Sequence, residues 1–91
     1  MPNWSDVDTP AVLIDLEKVS ANLLRVQGYA DANGLTLRPH IKTHKLHRFA
    51  NLQVKFGACG ITCQKVGEAE SMAAGGVQDI LITYNLVGEA K

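Results

Sequence analysis

The sequence predicts an α/β fold, a run of parallel strands alternating with helices that forms part of a (β/α)8 barrel of the TIM type. Three observations predict it. Short β-branched runs alternate with stretches of helical periodicity, and glycines punctuate the helix ends at Gly34, Gly57 and Gly75. The predicted strand ends near Lys42, Thr62 and Thr83 recur at about twenty residues, the length of one βα unit.

Residues 1–9 are polar and irregular up to Pro10. Ala11-Val12-Leu13-Ile14 is an apolar run between Pro and Asp, which predicts an initial strand. Asp15 suits the N-cap of the helix that follows, where Leu16, Val19, Leu23, Val26 and Ala30 form one stripe. Asn33-Gly34 ends that helix, because glycine accepts the left-handed conformation.

Residues 35–42 alternate with period two. Leu35, Leu37, Pro39 and Ile41 share one face, and Thr36, Arg38, His40 and Lys42 the other. Pro39 removes one ladder donor, so this strand belongs at an edge or is irregular. A second helix spans about 45–56, with Leu46, Phe49, Ala50 and Leu52 or Gln53 inward. Residues 58–62 make a short strand. Val66, Ala69, Met72 and Ala73 mark a third helix that stops at Gly75-Gly76. Residues 79–84 form the last strand, whose continuous apolar run predicts burial on both faces.

A closed barrel needs eight strands and roughly 250 residues. The expectation is therefore an N-terminal fragment over residues 1–91: a leading segment and strand (1–14), then about three βα units (15–91), with the rest of the barrel absent.

Composition narrows the function classes. Nine basic residues balance nine acidic ones, so no net field favours nucleic acid or an anionic membrane. The start lacks a charged, then apolar, leader, and no apolar run is long enough to span a bilayer. A cytoplasmic address follows, with Cys59 and Cys63 as reduced thiols rather than a disulfide.

In parallel α/β folds chemistry collects at the carboxyl ends of strands. Lys42 sits at such an end, on the face shared with Arg38 and His40. A desolvated lysine beside other cations has its pKa lowered and becomes a nucleophile towards an aldehyde. The bland alternative is a solvated loop lysine, or a basic cluster (Arg38, His40, Lys42, His44, Lys45, His47, Arg48) that binds an anion. His40, His44 and His47 make a poor metal triad, since no carboxylate or cysteine stands at a familiar ligand spacing. No metal site is assigned. Gln64, at the end of the next strand, can face a ligand or can merely belong to the start of the third helix.

Asp8-Thr9-Pro10-Ala11, residues 37–45 (Leu-Arg-Pro-His-Ile-Lys-Thr-His-Lys), residues 60–65 (Gly-Ile-Thr-Cys-Gln-Lys) with Glu68-Ala69-Glu70, and Asp79-Ile80-Leu81-Ile82 together carry a resemblance. The chain resembles the D-threonine aldolase and D-serine dehydratase family, fold-type III pyridoxal 5'-phosphate (PLP) enzymes related to alanine racemase. The likeness implies a PLP-dependent lyase with Lys42 as the Schiff-base lysine. His40 and Gln64 would lie beside the cofactor. It also implies a barrel followed by a mostly β domain, a homodimer, and an initial strand that belongs with the second domain.

The substrate class implied is a D-amino acid. Aldol cleavage of a D-threonine-type β-hydroxy amino acid leads, with D-serine dehydration, racemisation or a non-catalytic PLP-binding barrel as alternatives. A divalent metal in the full-length enzyme would find its ligands outside this chain, and the 91 residues alone are expected to be inactive.

Overall fold

The computed structural model describes residues 3–91. After a 3-10 turn at Trp4–Asp6 come α1 (Leu16–Ala32), α2 (His47–Lys55), β1 (Ile61–Cys63), α3 (Val66–Ala74) and β2 (Ile80–Ile82). The strands β1 and β2 run parallel, with Ile61 opposite Ile80 and Cys63 opposite Ile82.

Each helix begins and ends for a local reason. Asp15 caps α1, its carboxylate accepting from the backbone N–H groups of Glu17 and Lys18. At the other end Gly34 has φ +65° while Leu35 N–H reaches back to the Ala30 carbonyl at 2.8 Å. Helix α2 starts two residues later than the pattern predicts. The Lys45 N–H donates to the Ile41 carbonyl at 2.8 Å, and Lys45 itself is left-handed at φ 57°. A closed turn thus occupies residues 42–45, where a helix had been expected to begin.

The segment 37–41 lies along the free side of β1. Cys59 N–H donates to Leu37 O, Thr62 N–H to Pro39 O and Ile41 N–H to Thr62 O, all within 3.0 Å. Pro39 offers no N–H, so the expected eight-residue strand contracts to a single parallel bridge, His40 to Thr62. The layer therefore reads 37–41, β1, β2.

The two faces of this layer differ. Ile41, Ile61 and Cys63 are fully buried against Ala50 of α2 and Ala69 and Met72 of α3, with Ile80 and Ile82 half-buried beside them. Arg38, His40, Thr62, Asp79 and Leu81 occupy the other face, by the register that pairs His40 with Thr62 and Thr62 with Leu81. That face has no helix on it.

Three expectations are corrected. Residues 11–14 form no strand: Val12 is 90% exposed, and among the described residues no neighbouring strand pairs with the run. An apolar run alone does not make a strand; it needs a ladder partner. The last strand is not buried on both faces, because Leu81 stands half-exposed on the helix-free side. The α1 stripe is shifted, with Gln27 and Ala30 buried while Leu16 and Val26 lie about half-exposed. The open face shows in the dimensions. The radius of gyration is 15.6 Å, against about 12 Å for a compact domain of this length.

Candidate active site

The carboxyl ends of the three extended segments lie side by side. Ile41 N–H bonds Thr62 O, and Thr83 N–H bonds Cys63 O at 3.1 Å. The His40–Thr62 bridge fixes the register there. Two residues beyond it stand Lys42 on one segment and Gln64 on the next, so the three residues singled out in the sequence meet at one end of one layer.

Lys42 is exposed and makes no ion pair among the described residues. Its backbone is held: the Lys42 N–H donates to His40 Nδ1 at 3.2 Å. With that lone pair engaged, a neutral His40 ring carries its proton on Nε2. In that tautomer Nε2 is the ring's donor.

Gln64 is half-buried, and its backbone N–H donates to Glu68 Oε1 at 2.9 Å. Glu68 lies in the first turn of α3, whose N-cap Lys65 provides no side-chain bond. The glutamate thus ties the loop after β1 back onto α3, in the manner of one half of a capping box. Glu68 is 8% exposed, and its buried Oε2 has no partner among the described residues. The sequence signals for Glu68 are its place in the Glu68-Ala69-Glu70 segment and its spacing three residues after the cap position, and neither gives it this role. Burial pushes the Cys63 thiol up in pKa, and the charge of Glu68 adds to the rise.

The histidines do not assemble into a metal site. His40 is committed to Lys42, and His44 accepts from Leu46 N–H and meets Gln53. His47 lies flat against Gly75, where even a Cβ would collide with it. Among the described residues no group of three potential ligands converges.

At the other end of the layer Arg38 crosses over Gly60 to Asp79. Its Nη1 stands 2.8 Å from Asp79 Oδ1 and donates to the Ile61 carbonyl at 3.1 Å. The hydrogen bond to Asp79 holds the guanidinium more firmly protonated than usual, against a smaller opposing effect of burial. A Cβ on Gly60 would lie 2.5 Å from the Asp79 carbonyl and 2.7 Å from Arg38 Nη1, so only glycine admits the crossing. The basic cluster of the sequence is therefore split, with Arg38 consumed at the amino end and Lys42 free at the carboxyl end.

A primary amine, an imidazole N–H and an amide side chain at the rim of a parallel layer suit an aldehyde-bearing aromatic cofactor. The exposed Lys42, two residues past His40 on the segment at the carboxyl end of the layer, is the structural observation that fits PLP.

No protein-family model matches the chain. D-threonine aldolase from Arthrobacter sp is 48% identical over 85 residues, which are 93% of this chain and 22% of that protein. D-threo-3-hydroxyaspartate dehydratase from Delftia sp. (strain HT23) is 44% identical over 80 residues, 88% of this chain and 21% of its own length. The crystal structure of D-threonine aldolase from Filomicrobium marinum superposes with a TM-score of 0.90 at 42% identity, covering 97% of this chain and 24% of that one. The chain thus spans less than a quarter of the length of the relatives it matches. Over most of its 91 residues the chain is homologous to D-threonine aldolase and D-threo-3-hydroxyaspartate dehydratase.

Proposed function

We propose that this chain carries the cofactor lysine, Lys42, of a PLP-dependent lyase that acts on β-hydroxy D-amino acids, with aldol cleavage of a D-threonine-type substrate as its reaction. Residues 15–91 form the first βα units of a (β/α)8 barrel in this reading, and residues 1–14 lead into it. One observation carries the proposal: Lys42 stands free at the carboxyl end of a parallel layer, on the segment that shares its open face with His40 and beside Gln64.

Bound there, PLP supplies an electron sink for the pair released when a bond to the substrate's α-carbon breaks. Lys42 Nζ would hold the cofactor covalently and, as a free amine, would hold a proton. His40 Nε2–H orients an acceptor on the open face. Gln64 presents an amide from a loop that Glu68 keeps in place.

The open side, with Leu81 half-exposed, is where the rest of a barrel would exclude water. The reading includes a homodimer, a cytoplasmic address, and a divalent metal held by residues outside this chain. Among the described residues no helix is long and apolar enough to cross a membrane.

Dehydration of a β-hydroxy D-amino acid is the second reading, supported by the dehydratase among the relatives. A non-catalytic PLP-binding barrel is the alternative from another class. The test is borohydride reduction of the full-length protein with PLP, followed by peptide mapping. Label on Lys42 is expected, and label on Lys45 instead overturns the site. Incubation with D-threonine, D-serine and D-alanine in parallel separates aldolase, dehydratase and racemase by product. Lack of turnover on all three favours the carrier.

A further inference from the structure

The turn that presents Lys42 is held in an unusual way. It closes through Lys45 N–H to Ile41 O, and Lys45 sits at φ 57° without being glycine, a conformation that disfavours a β-carbon. A contact between the turn and the elements around it must hold it. Helix α2 begins directly after, and its N-cap, Leu46, has no side chain able to cap.

The ring of His44 fills both needs. Its Nδ1 accepts from the Leu46 N–H at 3.0 Å. Its Nε2 lies 3.2 Å from Gln53 Oε1, two turns along α2. The ring edge meets the buried Phe49 ring at 5.6 Å and 79°. Since Nδ1 accepts a backbone N–H, the proton belongs on Nε2, where Gln53 Oε1 receives it. One tautomer satisfies both partners. His40 does the same job at the entry of the turn, accepting from Lys42 N–H.

We propose that His44 is the positioning residue of the Lys42 site: its ring, as the Nε2–H tautomer, clamps the lysine-bearing turn onto α2 and so fixes where the amine stands. The inference rests on Lys42 being the cofactor lysine. His44 touches neither cofactor nor substrate; it acts through the backbone of residues 42–46.

The test uses the full-length protein with His44→Phe, His44→Asn and Gln53→Leu. Phenylalanine keeps the edge contact with Phe49 but loses both hydrogen bonds. Asparagine restores an acceptor for the N–H two residues on. The first readout is the rate at which a limiting acylating reagent modifies Lys42 in cofactor-free protein, scored by peptide mapping. The second is kcat and KM for a β-hydroxy D-amino acid in the PLP-loaded enzyme.

His44→Phe is expected to change the Lys42 acylation rate severalfold and to lower kcat roughly 10- to 100-fold, with KM shifted about twofold, the signature of a misplaced group. His44→Asn should recover much of the loss, and Gln53→Leu should show a smaller change of the same kind. If His44→Phe folds poorly, Gln53→Leu decides the question by the same two readouts. Wild-type acylation and kcat in these variants, or a loss that asparagine fails to restore, would overturn the clamp. Borohydride label at another lysine in the wild-type protein would instead overturn the Lys42 reading itself, which distinguishes the two failures.

Discussion

The two ends of the parallel layer are built on opposite plans. At the amino end, Arg38, Gly60 and Asp79 interlock by contact: an ion pair at 2.8 Å passes over a residue with no side chain. At the carboxyl end, backbone N–H groups are held by nearby side chains: Lys42 by His40, Leu46 by His44 and Gln64 by Glu68. The first plan leaves no reactive group free. The second engages backbone N–H groups and makes no ion pair with the Lys42 amine among the described residues. Parallel α/β folds place stability at one end and chemistry at the other, and here the division is written in which atoms are occupied.

The sharpest way to break that division is to remove the amine. Lys42→Ala is expected to abolish covalent PLP binding in the full-length protein and lower kcat/KM by about three orders of magnitude or more. Because Lys42 is exposed and unpaired, stability should move by less than about 0.5 kcal/mol. Borohydride mapping and a denaturant titration measure both. A large stability loss would mean that the carboxyl end is structural after all.

The amino end should fail in the opposite sense. Gly60→Val puts side-chain atoms where the Asp79 carbonyl and Arg38 Nη1 already stand. It should cost about 2–3 kcal/mol of stability through overpacking, while kcat per folded molecule stays near wild type. Denaturant midpoints and active-site titration separate the two effects. A valine variant as stable as the parent would show that the crossing tolerates a side chain.

The sequence made much of this frame visible, and the reasons it hid the rest are specific. Asp15, Asn33-Gly34 and Gly75-Gly76 are local signals, and the helices they bound appear where they predict. The face alternation of residues 37–41 survives, with Ile41 in the core and Arg38 and His40 opposite. Residues 11–14 misled because a strand depends on a partner that a local pattern does not contain. The Arg38–Asp79 pair was hidden because its partners are distant in sequence and meet only through the β1 register. Glu68 was hidden for a different reason: a glutamate in the first turn of a helix is ordinarily solvated, whereas this one is buried and accepts from the Gln64 N–H four residues away. Lys42, His40 and Gln64 could be picked out as candidates because they fall near strand ends, and the β1 register brings their segments to one end of the layer.

Glu68 gives a test at the boundary between the plans. Glu68→Ala removes the acceptor for Gln64 N–H, a cap-like bond worth about 1 kcal/mol. If the loop serves the site, KM for the amino acid or the affinity for PLP should weaken along with stability. Glu68→Gln, which keeps an acceptor at Oε1, should retain most of both. Equal losses in the two variants would assign the carboxylate's charge, rather than its bond to Gln64, as the important feature.

The smallest expected effect concerns pH. Cys63 is fully buried beside β2, and burial followed by the charge of Glu68 raises its thiol pKa. The unfolded chain loses that proton near pH 8.5, while the native chain keeps it to higher pH. The native state then binds more protons than the unfolded one, so stability must fall as pH rises through this window. Below about pH 7.5 both states are protonated and the contribution is constant. The decline should be no steeper than about 1.4 kcal/mol per pH unit, and its onset near pH 8.5 is the diagnostic. Cys63→Ala should lower stability at neutral pH by roughly 1 kcal/mol from the lost packing, yet flatten the alkaline slope. Parallel curves for the parent and the alanine variant would show that this thiol titrates in the folded protein as it does in water, and that the helix-covered face is wetter than its packing indicates.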